Sequence, residues 1–104
     1  MKRYVIDLDH TLCDTKKNED GSWNYLQALP YQDRVAKVNK LSEDGNYIVI
    51  ETARGFWTKR NWCCETYDQL TSWGLKFHEL RTGVKFAADY YIDDKAINSE
   101  EFFK

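Results

Sequence analysis

A chain of 104 residues is long enough for one small domain with a single core and too short for a second domain, so we expect residues 1–104 to fold as one unit. Hydrophobic residues make up 42% of the chain and aromatic residues 15%, which excludes an intrinsically disordered segment. Lysine and arginine total 15 against 17 aspartate and glutamate residues, and the net charge of -2 supplies no basic field for gripping duplex DNA.

The cysteines and the amino terminus indicate the compartment. The chain has three cysteines, Cys13, Cys63 and Cys64, an odd number without C-x-x-C spacing, so neither a disulfide framework nor a zinc site is predicted. Residues 1–3 run directly into a strand-like segment, without the long apolar stretch of a signal peptide or a membrane span. We therefore expect a cytoplasmic protein with no membrane partner.

Strand patterns and helix patterns alternate along the chain. The predicted strands cover residues 3–9, 47–50, 76–80 and 89–93. The predicted helices cover residues 30–44 and 58–73, with a short terminal helix within residues 95–104. Gly45 and Gly74 close the two longer helices, and Thr58 is a candidate N-cap. Strands that alternate with helices predict an α/β fold around a parallel sheet.

Polar side chains follow several of these strands. Asp7 and Asp9 come at the end of the first strand, Thr52 follows the second, and Asp93 and Asp94 end the fourth. Ligands of open α/β sheets bind beyond the carboxyl ends of the strands, so these side chains should converge on one edge. Carboxylates placed together repel one another, which calls for a divalent cation between them. The pattern favours chemistry on a phosphate.

Four short stretches carry a resemblance to a known family. They are D-L-D-H-T-L at 7–12, E-T-A-R-G at 51–55, G-V-K at 83–85 and I-D-D-K at 92–95. In this order they resemble the four motifs of the haloacid dehalogenase (HAD) superfamily phosphatases, over nearly the whole chain. The chain is most similar to small capless members grouped with capsule-biosynthesis phosphatases, and more distantly to the phosphatase domain of polynucleotide kinases. The resemblance implies a minimal HAD-like Rossmannoid three-layer sandwich without a cap domain, with about four parallel strands in the order 3-2-1-4.

The resemblance also implies catalytic and metal-binding roles. Asp7 would be the nucleophile that forms an aspartyl-phosphate. The Asp9 side chain would protonate the leaving alcohol and then deprotonate the hydrolytic water. Mg²⁺ would be held by Asp7, by the backbone carbonyl of Asp9 and by Asp94, with Asp93 as the alternative ligand. A turn built by Asp93 and Asp94 is the competing interpretation of that pair.

The remaining motif residues would bind the substrate. The Thr52 hydroxyl and the backbone N–H of Ala53 could hold phosphoryl oxygens, and Lys85 would add a positive charge that also keeps Asp7 ionised. Arg54 is a candidate for binding a second substrate anion through two hydrogen bonds of its guanidinium group. A structural alternative exists for Thr52, because a strand-end hydroxyl often satisfies a backbone group instead.

Residues 13–29 have no clear periodicity and begin directly after the nucleophile motif. They would form a flap that excludes water and contacts the leaving group of an open, capless site. An ordinary connecting loop is the alternative.

Taken together, the sequence predicts a Mg²⁺-dependent phosphomonoesterase. The sequence has no cluster of lysine and arginine residues for a nucleic-acid backbone, so a small phosphorylated molecule such as a sugar phosphate or a nucleotide is the favoured substrate. A nucleic-acid end is the other possible substrate, and oligomerisation is also possible. A signalling receiver domain uses similar side chains, but its phosphoacceptor ends a middle strand, and no aspartate ends the strand at Tyr47. A catalytically silent binding module on the same fold is the third alternative.

Overall fold

A computed structural model describes all residues from 1 to 104. Its strands are β1 Arg3–Ile6, β2 Cys13–Asp14, β3 Leu29–Pro30, β4 Tyr47–Thr52 and β5 Glu79–Thr82. Its helices are α1 Gln32–Glu43, α2 Cys63–Ser72 and α3 Ser99–Phe102, with a short 3-10 helix at Tyr25–Gln27. None of these helices combines the length and the apolar content that crossing a bilayer requires.

The main sheet has three parallel strands in the order β1-β4-β5. Strand β1 pairs with β4 from Arg3 opposite Tyr47 to Ile6 opposite Ile50. On the other side of β4, Thr52 pairs with Thr82 of β5. The predicted α/β class with a parallel sheet is confirmed. In this sheet β4 is the central strand and β1 lies at the edge.

The prediction of four strands in the order 3-2-1-4 is wrong. Residues 89–93 pair with no strand, and Ile92 is 97% exposed. Just beyond them, a side-chain oxygen of Asp93 accepts the backbone N–H of Lys95 at 2.7 Å. Such a local bond turns the chain and offers the backbone an alternative to strand pairing. An apolar run predicts a strand from its composition alone, whereas the strand also needs a partner.

The core lies between the sheet and the two longer helices. Helix α1 buries Val35 and Val38, three residues apart on one face of the helix, and α2 buries Leu70. Strand β4 supplies Ile48 and Ile50, both fully buried. The eleven residues of the core cluster are Ile6, Leu8, Leu12, Cys13, Ala28, Val35, Val38, Ile48, Ile50, Leu70 and Leu75.

Helix α2 begins five residues later than predicted. The Thr58 hydroxyl accepts the backbone N–H of Arg60 at 3.3 Å and therefore holds a turn before the helix. Asn61 accepts the N–H of Cys63 at 2.9 Å, at the point where the helix begins. The segment from the end of β4 to α2 is consequently a structured loop beside the carboxyl edge of the sheet.

Candidate active site

Asp9 forms the most completely buried ion pair of the chain, with Arg54. Arg54 donates from Nε to Asp9 Oδ2 at 3.0 Å and from Nη2 to Asp9 Oδ1 at 2.8 Å. The Arg54 side chain is 0% exposed and that of Asp9 18%. The geometry is the two-pronged contact that a guanidinium makes with a carboxylate, and it fixes the orientation of Asp9.

The other contacts of Arg54 complete its hydrogen bonding. Its Nη1 donates to Gln69 Oε1 at 2.8 Å and to the Thr66 hydroxyl at 3.3 Å, both on α2. Gln69 in turn donates to the backbone carbonyl of Tyr25 at 2.7 Å, and the guanidinium lies 4.7 Å from the centre of the Tyr25 ring. A buried charge is tolerated only when it is paired and hydrogen-bonded, and Arg54 meets both conditions.

This network decides the protonation of Asp9. Burial alone raises the pKa of the carboxyl, but hydrogen bonds and charge from Arg54 outweigh it, with help from Thr15 and Cys13, so that the pKa of Asp9 lies below its usual value. Thr15 donates to Asp9 Oδ1 at 2.6 Å. Burial, with a smaller effect of the Asp9 charge, raises the pKa of the Cys13 thiol to about 11. Asp9 is therefore an ionised acceptor beside a neutral thiol.

Asp7 has a different and more open environment. The ammonium of Lys85 lies 3.0 Å from Asp7 Oδ1, and the Thr11 hydroxyl donates to Asp7 Oδ2 at 2.9 Å. The Asp7 side chain is 34% exposed and that of Lys85 is 21% exposed. The Lys85 ammonium also lies 4.7 Å from the centre of the Tyr91 ring. A carboxylate with a cation beside it and an open face is available to an incoming ligand.

Thr52 and Ala53 lie at the carboxyl end of β4, beside the end of β1. Thr52 is 1% exposed, and its hydroxyl oxygen accepts the backbone N–H of Arg54 at 3.2 Å. This bond gives Thr52 the structural role that was the alternative to phosphate binding. The hydroxyl oxygen is the acceptor, so the hydroxyl proton stays free to be donated. Thr52 thus shapes the turn that carries Ala53 and Arg54.

Arg54 does not have the place that was predicted for it. A fork for a second substrate anion must reach solvent, whereas the Arg54 guanidinium is fully buried and bound to Asp9. The sequence could not distinguish the two roles, because both require an arginine just after the strand. The residues that hold Arg54 inside, Thr66 and Gln69, carry no motif and were missed.

The structure does not bring Asp93 and Asp94 into a metal site with Asp7 and Asp9. Nowhere in residues 1–104 do three His, Cys, Asp or Glu side chains gather as metal ligands. Asp93 and Asp94 are exposed, and the N–H of Lys95, with Asp94, lowers the pKa of Asp93. As placed, Asp93 and Asp94 form a turn and are not gathered with Asp7 as metal ligands, while the backbone carbonyl of Asp9, the predicted ligand of that residue, is not involved in the contact with Arg54.

Residues 13–29 form a hairpin whose two ends lie beside the site. Strands β2 and β3 pair antiparallel, with Cys13 opposite Pro30, and a further bridge joins Lys17 to Trp23. The Trp23 ring packs edge-on against His10 at 5.1 Å, next to the acidic pair in sequence. Thr15 of this hairpin binds Asp9 directly, a contact that the sequence did not indicate.

Comparison with known proteins supports the fold and leaves the activity open. No family model matches the chain, and no curated protein matches it. A crystal structure of a structural-genomics target protein from Vibrio cholerae is similar, with a TM-score of 0.81 and 26% sequence identity. The similarity covers 99% of this chain and 88% of that protein. The same arrangement of strands and helices therefore extends over essentially the full length of the chain.

Proposed function

We propose that this protein is a phosphomonoester hydrolase that acts through an aspartyl-phosphate on Asp7. The observation that carries the proposal is the 3.0 Å contact between Lys85 and Asp7, on a carboxylate that keeps an open face. A cation at this distance attracts a phosphate dianion to the carboxylate. The four ordered motifs described above add the expectation of phosphate chemistry.

In the first step, an oxygen of Asp7 attacks phosphorus while the bond from phosphorus to the ester oxygen breaks. The departing alcohol takes the electron pair of that bond. Lys85 offsets the negative charge of the phosphoryl oxygens, a contribution that is larger in a site partly closed to water. The products are an acyl phosphate on Asp7 and an alkoxide or phenolate, which takes a proton from water to become the free alcohol.

In the second step, water attacks phosphorus, the bond to the Asp7 oxygen breaks, and orthophosphate leaves. Asp9 takes the proton of that water, because its lowered pKa keeps the carboxylate ionised and able to accept a proton, although the same shift makes it a weak base. The same ionised state makes Asp9 a poor proton donor in the first step. We therefore expect alcohols that leave without a proton, such as p-nitrophenol, to be released faster than simple alkyl alcohols.

The Mg²⁺ requirement stays a prediction. The Mg²⁺ ion, held by Asp7, the Asp9 carbonyl and Asp94 with Asp93 as alternative, would neutralise the phosphate when bound. Phosphate release measured in MgCl2 and again after adding EDTA tests this requirement directly.

The decisive experiment measures phosphate release from p-nitrophenyl phosphate and a panel of sugar phosphates and nucleotides. Asp7→Asn should lower the rate by about 10³-fold or more, because the amide is no nucleophile. Asp33→Asn, which changes an exposed aspartate on α1, is the matched control and should keep the wild-type rate. A wild-type rate in Asp7→Asn would overturn the covalent mechanism.

The other two functions have their own outcomes in the same experiment. A stable phosphoprotein after treatment with acetyl phosphate, without turnover, would favour the receiver domain. No release from any ester and no phosphoprotein would favour the silent binding module.

A further inference from the structure

A polar cavity of about 470 Å³ opens beside the candidate active site. It is lined by Gly55, Lys59, Arg60, Asn61, Thr82 and Gly83. None of these residues is hydrophobic, and two carry a positive charge. Hydrogen-bond donors therefore dominate the walls, and no apolar face is present on which a nucleobase could stack.

The cavity and Asp7 lie at the same edge of the sheet. Thr82 ends β5 directly opposite Thr52, so the cavity lies at the same carboxyl edge as the acidic pair. Gly83 packs on the turn after β4, where a Cβ atom would lie 3.7 Å from the carbonyl oxygen of Arg54. Two residues further on, Lys85 contacts Asp7. A substrate held at Asp7 would thus extend its leaving group past Gly83 toward the cavity.

The loop that carries Lys59 and Arg60 is fixed by its backbone. Gly55 has a φ of +91°, and a Cβ there would lie 2.5 Å from the carbonyl oxygen of Arg60, so a larger residue would displace the loop. Lys59 has a φ of 60° and donates its N–H to Gly55 at 3.0 Å. The left-handed region is uncommon for a lysine, which indicates a loop held in one shape by its surroundings.

The two cations of the loop differ in their partners. Arg60 contacts Glu65 at 2.7 Å and lies 3.9 Å from the centre of the Trp62 ring. The Lys59 ammonium rests 5.0 Å from the centre of the Phe56 ring and contacts no carboxylate. Lys59 therefore supplies a positive charge to the cavity that no side chain of the protein neutralises.

We infer that the cavity binds a second anionic group on the leaving alcohol, so that the preferred substrates are phosphomonoesters that also carry a carboxylate or another phosphate. This inference rests on the proposed function, since it assigns the leaving group of the same reaction. Lys59 takes the part that the sequence had predicted for Arg54. A nucleobase would find no stacking surface in this cavity.

Matched substrates test the inference. Phosphoglycolate and ethyl phosphate differ only in the carboxylate, as do 4-phosphohydroxybutyrate and butyl phosphate. The wild type should prefer the charged member of at least one pair by about tenfold in kcat/KM. Lys59→Asn should remove most of that preference, since asparagine tolerates the left-handed backbone of this position. Lys40→Gln, an exposed lysine of α1, should keep it.

Three results would overturn the inference while leaving the proposed function intact. The first is equal kcat/KM within both pairs, and the second is a preference that survives in Lys59→Asn. A preference for nucleotides that depends on Trp57, which is 75% exposed, would also contradict it.

If no ester is hydrolysed, the proposed function fails and a binding measurement decides about the cavity. Phosphoglycolate titrated into ¹⁵N-labelled Asp7→Asn should shift the amide signals of Lys59, Asn61 and Gly83, and ethyl phosphate should shift them less. Equal shifts with both compounds would rule out the second anion site.

Discussion

Asp7 and Asp9 follow a strand that pairs with its neighbour along four residues, whereas Asp93 and Asp94 follow an apolar run that pairs with none. Around the first pair, a buried arginine, a lysine and two threonine hydroxyls hold the carboxylates in place. Around the second pair, the protein contributes the backbone N–H of Lys95 and little else.

The difference shows that two acidic pairs with similar flanks can have unrelated physical roles. What separates them is contacts made over long sequence distances, such as that of Asp9 with Arg54, 45 residues away. Stability measurements on single variants test whether the two acidic pairs differ in this way.

The largest effect is expected for Arg54→Met. Without the guanidinium, Asp9 would be a buried charge with no ionic partner, and the free energy of unfolding should fall by about 3–5 kcal/mol. Arg60→Met removes the exposed pair with Glu65 and should cost about 1 kcal/mol or less. Urea denaturation of both variants measures the two values.

Arg54→Lys provides a second variant if Arg54→Met does not fold. It keeps the charge but loses the two-pronged contact, and its stability should be intermediate. Equal losses of stability in the Arg54 and Arg60 variants would mean that burial does not set the Arg54–Asp9 ion pair apart from the Arg60–Glu65 ion pair.

The next effect concerns two threonine hydroxyls that each donate to a carboxylate. Thr15→Val removes a buried bond to Asp9 and should cost about 2 kcal/mol, as hydrogen bonds to charged groups do. Thr11→Val removes a bond to Asp7, which is 34% exposed, so water can replace the hydroxyl and the cost should be about 1 kcal/mol. A larger loss of stability in Thr11→Val than in Thr15→Val would contradict the assignment of Asp9 as the more deeply buried carboxylate.

The pH dependence of stability follows from the lowered pKa of Asp9. Its folded pKa lies below the unfolded one, so the stabilisation is present above about pH 3.9 and is lost as the pH falls through the folded pKa. Asp9→Asn should make the decline in unfolding free energy below pH 5 shallower, by at most about 1.4 kcal/mol per pH unit.

Arg54→Met should change the sign of this contribution. Burial, the largest influence on Asp9, is then opposed only by the hydrogen bonds from Thr15 and Cys13 and raises the pKa, so that protonation favours the folded state and the Asp9 contribution grows as the pH falls. Unfolding free energies measured between pH 6 and pH 2 for the three proteins check both signs. Parallel curves for all three would show that Asp9 does not titrate in the way its contacts imply.

Local sequence signals predicted the part of the fold that depends on local structure and on the hydrophobic face. The face of α1 with Val35 and Val38 follows from helical periodicity, and the end of α1 before Gly45 from the glycine. The start of α2 was missed because Thr58 is a residue type that often caps helices, whereas in the folded loop its hydroxyl bonds the N–H of Arg60 and the helix begins at Cys63, after the turn at Asn61. The run 89–93 was missed because composition does not report whether a partner strand is present.

The candidate site likewise contains residues whose role the sequence predicted and a residue whose role it did not. The sequence singled out Asp7, Asp9 and Lys85, and the structure places Lys85 against Asp7. It could not assign Arg54 to the interior, because that depends on Gln69 and Tyr25, which no motif connects to it. Residues whose role depends on one long-range contact carry no signal in a single sequence.

The smallest effects are expected at the second acidic pair. Asp93 and Asp94 are exposed, so Asp93→Asn and Asp94→Asn should leave the midpoint of urea denaturation unchanged in the absence of divalent ions. A loss of stability in either variant would show that the Asp93 and Asp94 side chains make contacts in solution that the structure does not contain.

Adding Mg²⁺ turns the same two variants into a test of the predicted metal. A ligand that binds only the folded state raises its stability by about 2.7 kcal/mol at a concentration 100 times its Kd. A rise in melting temperature with MgCl2 that is abolished by Asp94→Asn would mean that the ion draws Asp94 to Asp7, and the contrast between the two pairs would then hold only without metal. An equal response of the wild type and Asp94→Asn would mean that the pairs stay apart, because an ion held by Asp94 must bind less tightly once that carboxylate is gone.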